Sequence, residues 1–565
     1  MDDTTIIIKQ NRCFKEVIKE LESYEEATEA KVNYGKTKGL WTGSWKGRRI
    51  SPMDNIKWTS GDVRNLGIYF GNENPSLKTF QEIVPDFKKR LSYWKQFTTS
   101  KIGKARVVEM FLASKLVYAI KFYPIPLNFR QDIQNSIFNY FNFPRKVITI
   151  GQRETWKTKQ NGGCKLVNIQ IKSETSKAKW LMEITTKPEF KIHLETFSNL
   201  VGIQKGNNKG KDLIFTSRTY ITRVMKIQNS FYKEAMQSLS MFRRKKGINN
   251  PREWDTENIF YNPLVLSKAG KTLKETKHFQ DNNIYKLGQL LDEKSKEARK
   301  LPFDKKVVAL ANNISLDIGT MDYGIIKDHT IFLGNTKIVK MSQITQKDLY
   351  EDAILFKSKE HVHQAKWVGK LNILVLWEEV WKSLHNILVS NETRTAIWEQ
   401  LHLNFYTQYS YNKWHKASDL CPLCEKLPES IFHIILHCDF VNTIWAHLQP
   451  TLSHLSTKTL DDTEKALGIV QIKETPGIIL RNWLGYKLRE QILIFERTTY
   501  RLSKQPSVDL FKTKFNQIVA KEVKDLMYRF NNEGRLDKFD EIVPLKGILC
   551  EKIGHGEYSL KKVFK

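Results

Sequence analysis

The chain has 565 residues, of which 91 are lysine or arginine and 61 aspartate or glutamate, giving a formal net charge of +30. Apolar residues make up 41%, with 14 tryptophans and 30 phenylalanines, enough for packed cores, which excludes a disordered class. A cation excess of this size points to a polyanionic partner, because side chains that neutralise phosphates release condensed counterions. The length admits roughly three to four modules. No apolar run approaches ~18 residues, and MDDTTIIIKQ has no basic stretch ahead of an apolar one. An intracellular protein with no membrane partner is therefore expected. Six cysteines are too few for a disulfide scaffold, and three of them crowd between 421 and 438 while Cys13, Cys164 and Cys550 stand alone.

In chain order, residues 14–40 read as an amphipathic helix and then a strand ending in basic residues. Phe80, Ile83, Val84, Phe87, Leu91 and Trp94 recur at helical spacing, with Pro85 predicting a kink or a restart. Val108, Leu112, Leu116 and Ala119 mark a second helix. Lys88, Lys89, Arg90, Lys95, Lys101, Lys104 and Arg106 fall around and between these stripes. A helix pair with one apolar and one basic face suits tracking a duplex backbone without reading its sequence. QKGNNKGK (204–211) reads as a loop or linker, and RRKK (243–246) as a candidate nuclear-import or RNA contact. Trp377, Trp381, Leu384 and Leu388, then Ile397, Trp398 and Leu401, belong to a helical core. Phe405, Tyr406, Tyr409, Tyr411, Lys413, Trp414 and His415 interleave aromatic and basic residues. Such a run either stacks on unpaired bases or packs beneath the module that follows. Leu480, Leu484, Leu488 and Phe495 mark a long helix, with Arg481, Lys487, Arg489 and Arg497 on its other faces as RNA-facing charge.

The segment SDLCPLCEKLPESIFHIILHCDFVNTIW carries Cys421 and Cys424 as a CxxC pair, His433 after eight intervening residues and Cys438 after four more. A CxxC turn aims both sulfurs at one point, and a His and a Cys near a following helical turn complete a tetrahedron. Three thiolates and an imidazole suit a closed, redox-inert Zn²⁺ site, with Phe432, Ile434, Ile435 and Leu436 as apolar anchor. His437 lies one helical turn from His433 and is the alternative ligand. His433 is preferred because His437 abuts Cys438, and adjacent residues on a helix point apart.

This CxxC-x8-H-x4-C unit, with the aromatic run before it and Trp445 after it, resembles the zinc-binding module of non-LTR (LINE-type) reverse transcriptases. Further segments resemble the same family in the right order. Asp2 and Asp3 match the carboxylates of its Tyr-x-Asp-Asp hairpin, with Met1 as x and Thr4 to Lys9 as second strand. Lys36 or Lys38 stands in the place of the family's lysine beyond that hairpin. IKWTSGDVRNLGIYFGNE (56–73) resembles the primer-grip hairpin, centred on Leu66-Gly67-Ile68, and residues 80–145 resemble the thumb. GGCKLVNI (162–169) fits the transition from the thumb to the C-terminal region. Between 170 and 340 only IFYNPLVL and NNIYKLGQLL resemble the family.

The resemblance implies nucleotide addition by two metal ions, with one carboxylate from an upstream strand and two from the hairpin. Only the pair Asp2 and Asp3 is present, so Mg²⁺ belongs to an intact polymerase, and this chain alone is expected not to extend a primer. Either a truncated locus begins at an internal Met or a host reuses the C-terminal half. The implied partners are element RNA and target DNA, with an element RNA-binding protein in a ribonucleoprotein of cytoplasm and nucleus. The expected fold is mainly α, with a small α+β N-terminal remnant of a polymerase palm (1–75). A helical thumb (76–150), a helical connecting region (151–410), a zinc-binding module (411–450) and a helical C-terminal tail (451–565) follow. A host-adopted structural or interaction protein is the rival reading.

Overall fold

Helices carry most of the chain in the computed structural model, and among the described residues sheets stop at two or three strands, so the mainly α class expected from sequence holds. The structure describes residues 4–10, 12–47, 55–97, 100–144, 150–200, 229–246, 337–357, 362–405, 407–415, 418–470, 474–502, 505–554 and 556–564, with short pieces between 227 and 333. Asp2, Asp3 and the 204–211 segment lie outside the described residues. Contacts divide the chain into two units, one of residues 1–94, 110–137 and 168–353, the other of residues 95–109, 138–167 and 354–565. The thumb-like segment contributes to both.

In the first unit, helix α1 (Arg12–Thr28) precedes a parallel pair, β1 (Lys38–Leu40) and β2 (Lys57–Thr59). A hairpin of β3 (Asp62–Asn65) and β4 (Ile68–Gly71) follows. Its two-residue turn, Leu66-Gly67, has φ of +48° and +82°, the left-handed pair whose twist matches that of the flanking strands. Thr4 to Lys9 do not form the strand that the resemblance implies. They have no ladder partner, and the side chain of Ile7 is 94% exposed. Helix α2 (Pro75–Trp94) runs through Pro85 without a restart. Phe80, Ile83, Val84, Phe87 and Leu91 are buried on both sides of the proline, and their combined burial outweighs a break costing about 3 kcal/mol.

Helix α3 (Lys101–Val107) belongs to the second unit; α4 (Ala113–Phe122) and most of α5 (Leu127–Asn142) belong to the first. The first unit is completed by α6 (Ile169–Thr186) and α7 (Ser230–Lys246), the latter ending in the 243–246 tetrad. Lys177 of α6 is buried, and its ammonium donates to the carbonyls of Ile120 (2.8 Å) and Tyr123 (3.3 Å) and to Ser173 Oγ (2.6 Å). It thereby satisfies carbonyls at the end of α4 that have no partner within the helix. Burial pulls its pKa down to about 8.

The second unit is built from α8 (Val362–Leu371), α9 (Trp377–Leu384), α10 (Asn391–Leu401), α11 (Gln408–His415), α12 (Asp439–Leu455), α13 (Pro476–Leu502) and α14 (Val508–Asn532), with a terminal hairpin of β5 (Cys550–Gly554) and β6 (Glu557–Leu560). Trp381, Trp398, Trp445 and Trp483 are fully buried, as the helical spacing of the first two predicts. Trp398 Nε1 donates to Gly162 O at 2.7 Å. The neighbouring Gly163 tolerates no side chain, since a Cβ there would lie 1.9 Å from Lys157 O.

The reading of α13 as scaffold with RNA-facing charge needs correction at three positions. Arg481, Lys487 and Arg489 are buried. Arg481 grips Glu464 through Nε (2.6 Å) and Nη2 (2.7 Å), and its Nη1 donates to Leu452 O (3.1 Å) and Ser456 O (2.7 Å). Lys487 pairs with Glu490 (2.8 Å) and Glu522 (2.9 Å), and Arg489 donates to Ala466 O. Buried charges persist where pairs and hydrogen bonds replace water, as they do for Arg481 and Lys487, whereas Nε and Nη2 of Arg489 have no hydrogen-bond partner among the described residues. Arg481→Met strands Glu464 without its partner and should lower unfolding stability by about 3–5 kcal/mol in urea titration. The double variant with Glu464→Gln should recover much of that loss.

Candidate metal centre

The four cysteine and histidine donors are brought together by backbone hydrogen bonding around each of them. Leu420 bridges Pro428, Cys421 N donates to Leu427 O (2.8 Å), and Glu429 N donates to Asp419 O (2.7 Å), closing a small hairpin. At its tip Glu425 takes φ +54° while its N–H reaches Cys421 O at 2.8 Å, which turns both sulfurs of the CxxC pair inward. His433 and Cys438 lie at the two ends of a π-helical turn (His433–His437), with Cys438 N donating to His433 O at 2.8 Å. An i→i+5 turn sets residues five apart on one side of the chain, which an α-turn would not. Cys438 also caps α12, its carbonyl accepting from Asn442 N at 2.8 Å.

The donor atoms of Cys421, Cys424, His433 and Cys438 all lie within 4.8 Å of one another. Cys421 Sγ is 4.0 Å from Cys438 Sγ, and Cys424 Sγ is 3.3 Å from His433 Nε2. Tetrahedral zinc with Zn–S near 2.3 Å spaces sulfur pairs at about 3.8 Å, so the donor set fits that ion. The adjacent Cys438 thiol, and then burial, push the Cys421 thiol well above the usual range, so with no cation this group resists forming a thiolate. A divalent ion reverses that balance. Burial lowers the pKa of His433, favouring the neutral ring that a metal needs. His437 is exposed, outside the cluster. Ile434, Ile435 and Leu436 are buried as the anchor, and Phe432 packs edge-on against Trp367 at 4.8 Å. A second trio, Glu154, His363 and His402, also gathers donor atoms within 4.8 Å. There Glu154 already accepts from Lys157 (2.8 Å), the imidazoles lie 4.2 Å apart and tilted at 37°, and His402 Nδ1 lies 2.9 Å from Trp398 O.

Residues 349–445 match the family described as zinc-binding in reverse transcriptase. The chain carries a reverse-transcriptase zinc-binding region. It is also 22% identical over 515 residues to the Transposon TX1 uncharacterized 149 kDa protein of Xenopus laevis, across 80% of this chain and 38% of that one. The chain thus spans less than two-fifths of that relative's length.

The basic residues singled out from sequence are dispersed. Lys36 sits on an exposed turn, and Lys38 begins β1. On α2, Lys89 is exposed, Lys88 pairs with Asp132 (2.6 Å) and Arg90 with Asp86 (3.1 Å). Lys95 lies over the Phe143 ring at 5.5 Å. Lys101 is buried, bonded to Glu399 (3.0 Å) and Asn142 (3.0 Å), and Lys104 is buried and donates to Phe143 O. Both ammonium groups are thus engaged inside the protein. Arg106 is exposed. Lys413 and Trp414 belong to α11, and only their backbone is described. Phe405 of the aromatic run is buried, with the Arg497 guanidinium 4.5 Å from its ring centre, whereas Tyr409 is exposed.

A buried carboxyl pair behind the reverse-transcriptase zinc-binding region escaped the sequence reading. Glu429 is fully buried and accepts from Gln408 N, and Glu496 of α13 shares a hydrogen bond with it. Burial, followed by the charge of Glu429, pushes Glu496 up to about 9 from 4.5. No spacing rule joins positions 67 residues apart, so only folding reveals this pair.

Two predictions follow from the site. Cys421→Ser or Cys424→Ser should abolish stoichiometric zinc in metal analysis of the purified protein; retained zinc would contradict the ligand set. Because Glu496 holds its proton in the native state, its stabilising contribution is complete below pH 4.5 and is lost as pH climbs toward about 9. Glu496→Gln should therefore match the parent at pH 5 and exceed it in denaturant midpoint at pH 8.

Proposed function

We propose that this chain acts as the nucleic-acid-binding C-terminal half of a LINE-type retrotransposon reverse transcriptase. The observation that carries this reading is a Cys₃His cluster inside a reverse-transcriptase zinc-binding match, on a chain with net charge +30. The similarity to a transposon protein supports it. Zinc is structural in this reading. All four of its coordination positions are filled by side chains, which leaves none for substrate or reactive water. Cys421, Cys424, His433 and Cys438 hold the ion, and the ion fixes the hairpin against the start of α12. The thumb-like helices grip a template–primer duplex through backbone charge, and the zinc-bearing region holds RNA or target DNA. Element RNA and an element RNA-binding protein are the proposed partners, in a ribonucleoprotein of cytoplasm and nucleus.

Nucleotide addition is not assigned to these 565 residues. Of the carboxylates the resemblance implies, they hold only Asp2 and Asp3, and Mg²⁺ chemistry needs the upstream partner. Primer extension with Mg²⁺ by this chain, lost in Asp2→Ala, would overturn that part of the reading. Filter binding across a salt series tests the rest. Affinity for RNA should fall about tenfold or more between 50 and 200 mM salt. Weak, salt-insensitive binding would favour a structural or interaction protein instead.

A further inference from the structure

Four cations of the second unit gather around the turn between α9 and α10, none of them ion-paired among the described residues. Arg394, in the first turn of α10, donates to the carbonyls of Leu384 (3.3 Å), His385 (3.4 Å) and Asn386 (2.6 Å) and to Asn391 Oδ1 (3.1 Å). Arg529 of α14 donates to Ile387 O at 2.5 Å, so both guanidinium groups hold successive carbonyls of one turn. Lys159 lies on the short 3₁₀ helix (Lys159–Asn161) packed against α9, and the exposed Arg106 lies on α3, packed against α10. Among the described residues, none of the four forms an ion pair with a carboxylate; Glu392, in the same helical turn as Arg394, is exposed and pairs with none of them.

This arrangement is costly for a protein left to itself. Like charges repel, and a cation in the first turn of a helix opposes the helix dipole. The repulsion registers in the groups themselves. Burial, then Arg106 and Arg529, pull Arg394 down to about 10, and burial, then Arg106, Arg394 and Lys165, lower Lys159. His385, enclosed by burial and by Lys159, Arg394 and Arg106, falls to about 3 and stays neutral at any ordinary pH. The carbonyls fix the two arginines in place, yet most N–H groups of Arg529 and all those of Arg106 and Lys159 form no hydrogen bond among the described residues.

We propose that Arg106, Lys159, Arg394 and Arg529 form a subsite for a phosphate group, occupied by a phosphodiester of the bound nucleic acid. The occupant rests on the nucleic-acid reading above; the excess charge does not. The guanidinium groups of Arg106 and Arg529 and the flexible ammonium of Lys159 suit a tetrahedral anion, while Arg394, its fork engaged by the turn, adds charge; the anion's own charge removes the repulsion. Backbone contacts of this kind position a strand and carry no sequence information.

The test compares the full-length protein with Arg106→Gln/Lys159→Gln and with Lys514→Gln/Lys538→Gln, which removes equal charge from exposed positions elsewhere. Binding of a labelled single-stranded RNA oligonucleotide is measured across a salt series. The cluster variant should lose about tenfold or more in affinity, and the slope of log affinity against log salt should shrink by about one to two. The control variant should change far less. Equal behaviour of the two variants would overturn the subsite, whereas absence of salt-sensitive binding by the parent would instead defeat the nucleic-acid reading. Thermal midpoints supply a second readout. Relief of repulsion should leave the cluster variant as stable as the parent or more so, and a midpoint several degrees lower would make the cations structural and sink the proposal. Replacing chloride by inorganic phosphate at constant ionic strength separates the sources. A midpoint raised in the parent and not in the cluster variant shows that free phosphate fits; no shift, with RNA affinity lost in that variant, assigns the site to the polymer alone.

Discussion

Three thiols and an imidazole held within 4.8 Å form the constraint around which the second unit is organised. Such a group is unfavourable without a cation, because thiolates repel one another and a buried thiol resists ionisation. With one, the 419–429 hairpin is tied to the start of α12 through Cys438, which is at once a donor and a helix cap. Behind the hairpin, Glu429 and Glu496 share a proton and join it to α11 and α13. Within the hairpin Leu423 is buried while Leu420 and Leu427 are exposed, so a bound cation would do there what a larger core does elsewhere.

Charge in this protein divides into two populations. One is inward and paired: Lys101 with Glu399, Lys177 near Glu234, Arg481 with Glu464, Lys487 with Glu490 and Glu522. These groups satisfy carbonyls and carboxylates between helices and give the packing its register. The other is outward and unbalanced, and it gives the net charge of +30 a place to act. The cluster of Arg106, Lys159, Arg394 and Arg529 lies between the two: Arg106 is exposed, the other three are half-buried, and none is ion-paired among the described residues.

Several features were legible before any coordinates. The period of Trp381, Ile397, Trp398 and Leu401 marked a helical core, because one buried face requires that spacing, whereas Trp377 is only half-buried. The hairpin around Leu66-Gly67 was expected from the family resemblance alone, because leucine rarely takes the positive φ it has here and local preference does not mark the turn. Spacing marked Cys421, Cys424, His433 and Cys438, although the π-turn that aligns the last two was not foreseen. The restart allowed at Pro85 did not occur, because local propensity is weak against a stripe of buried side chains, and Thr4 to Lys9 misled because a strand exists only with a partner.

By itself, then, the sequence determined the helical class, the four-donor cluster and the net charge of +30, all properties of composition or short-range spacing. Tertiary structure alone decided which cations face inward. Lys101 and Arg106 sit five residues apart on one helix, yet the first is buried against Glu399 and the second is exposed. It also decided that Glu429 meets Glu496 and that Arg106, Lys159, Arg394 and Arg529 converge. Charge is counted along the chain, but solvation and pairing are set by neighbours that only folding brings within a few ångströms.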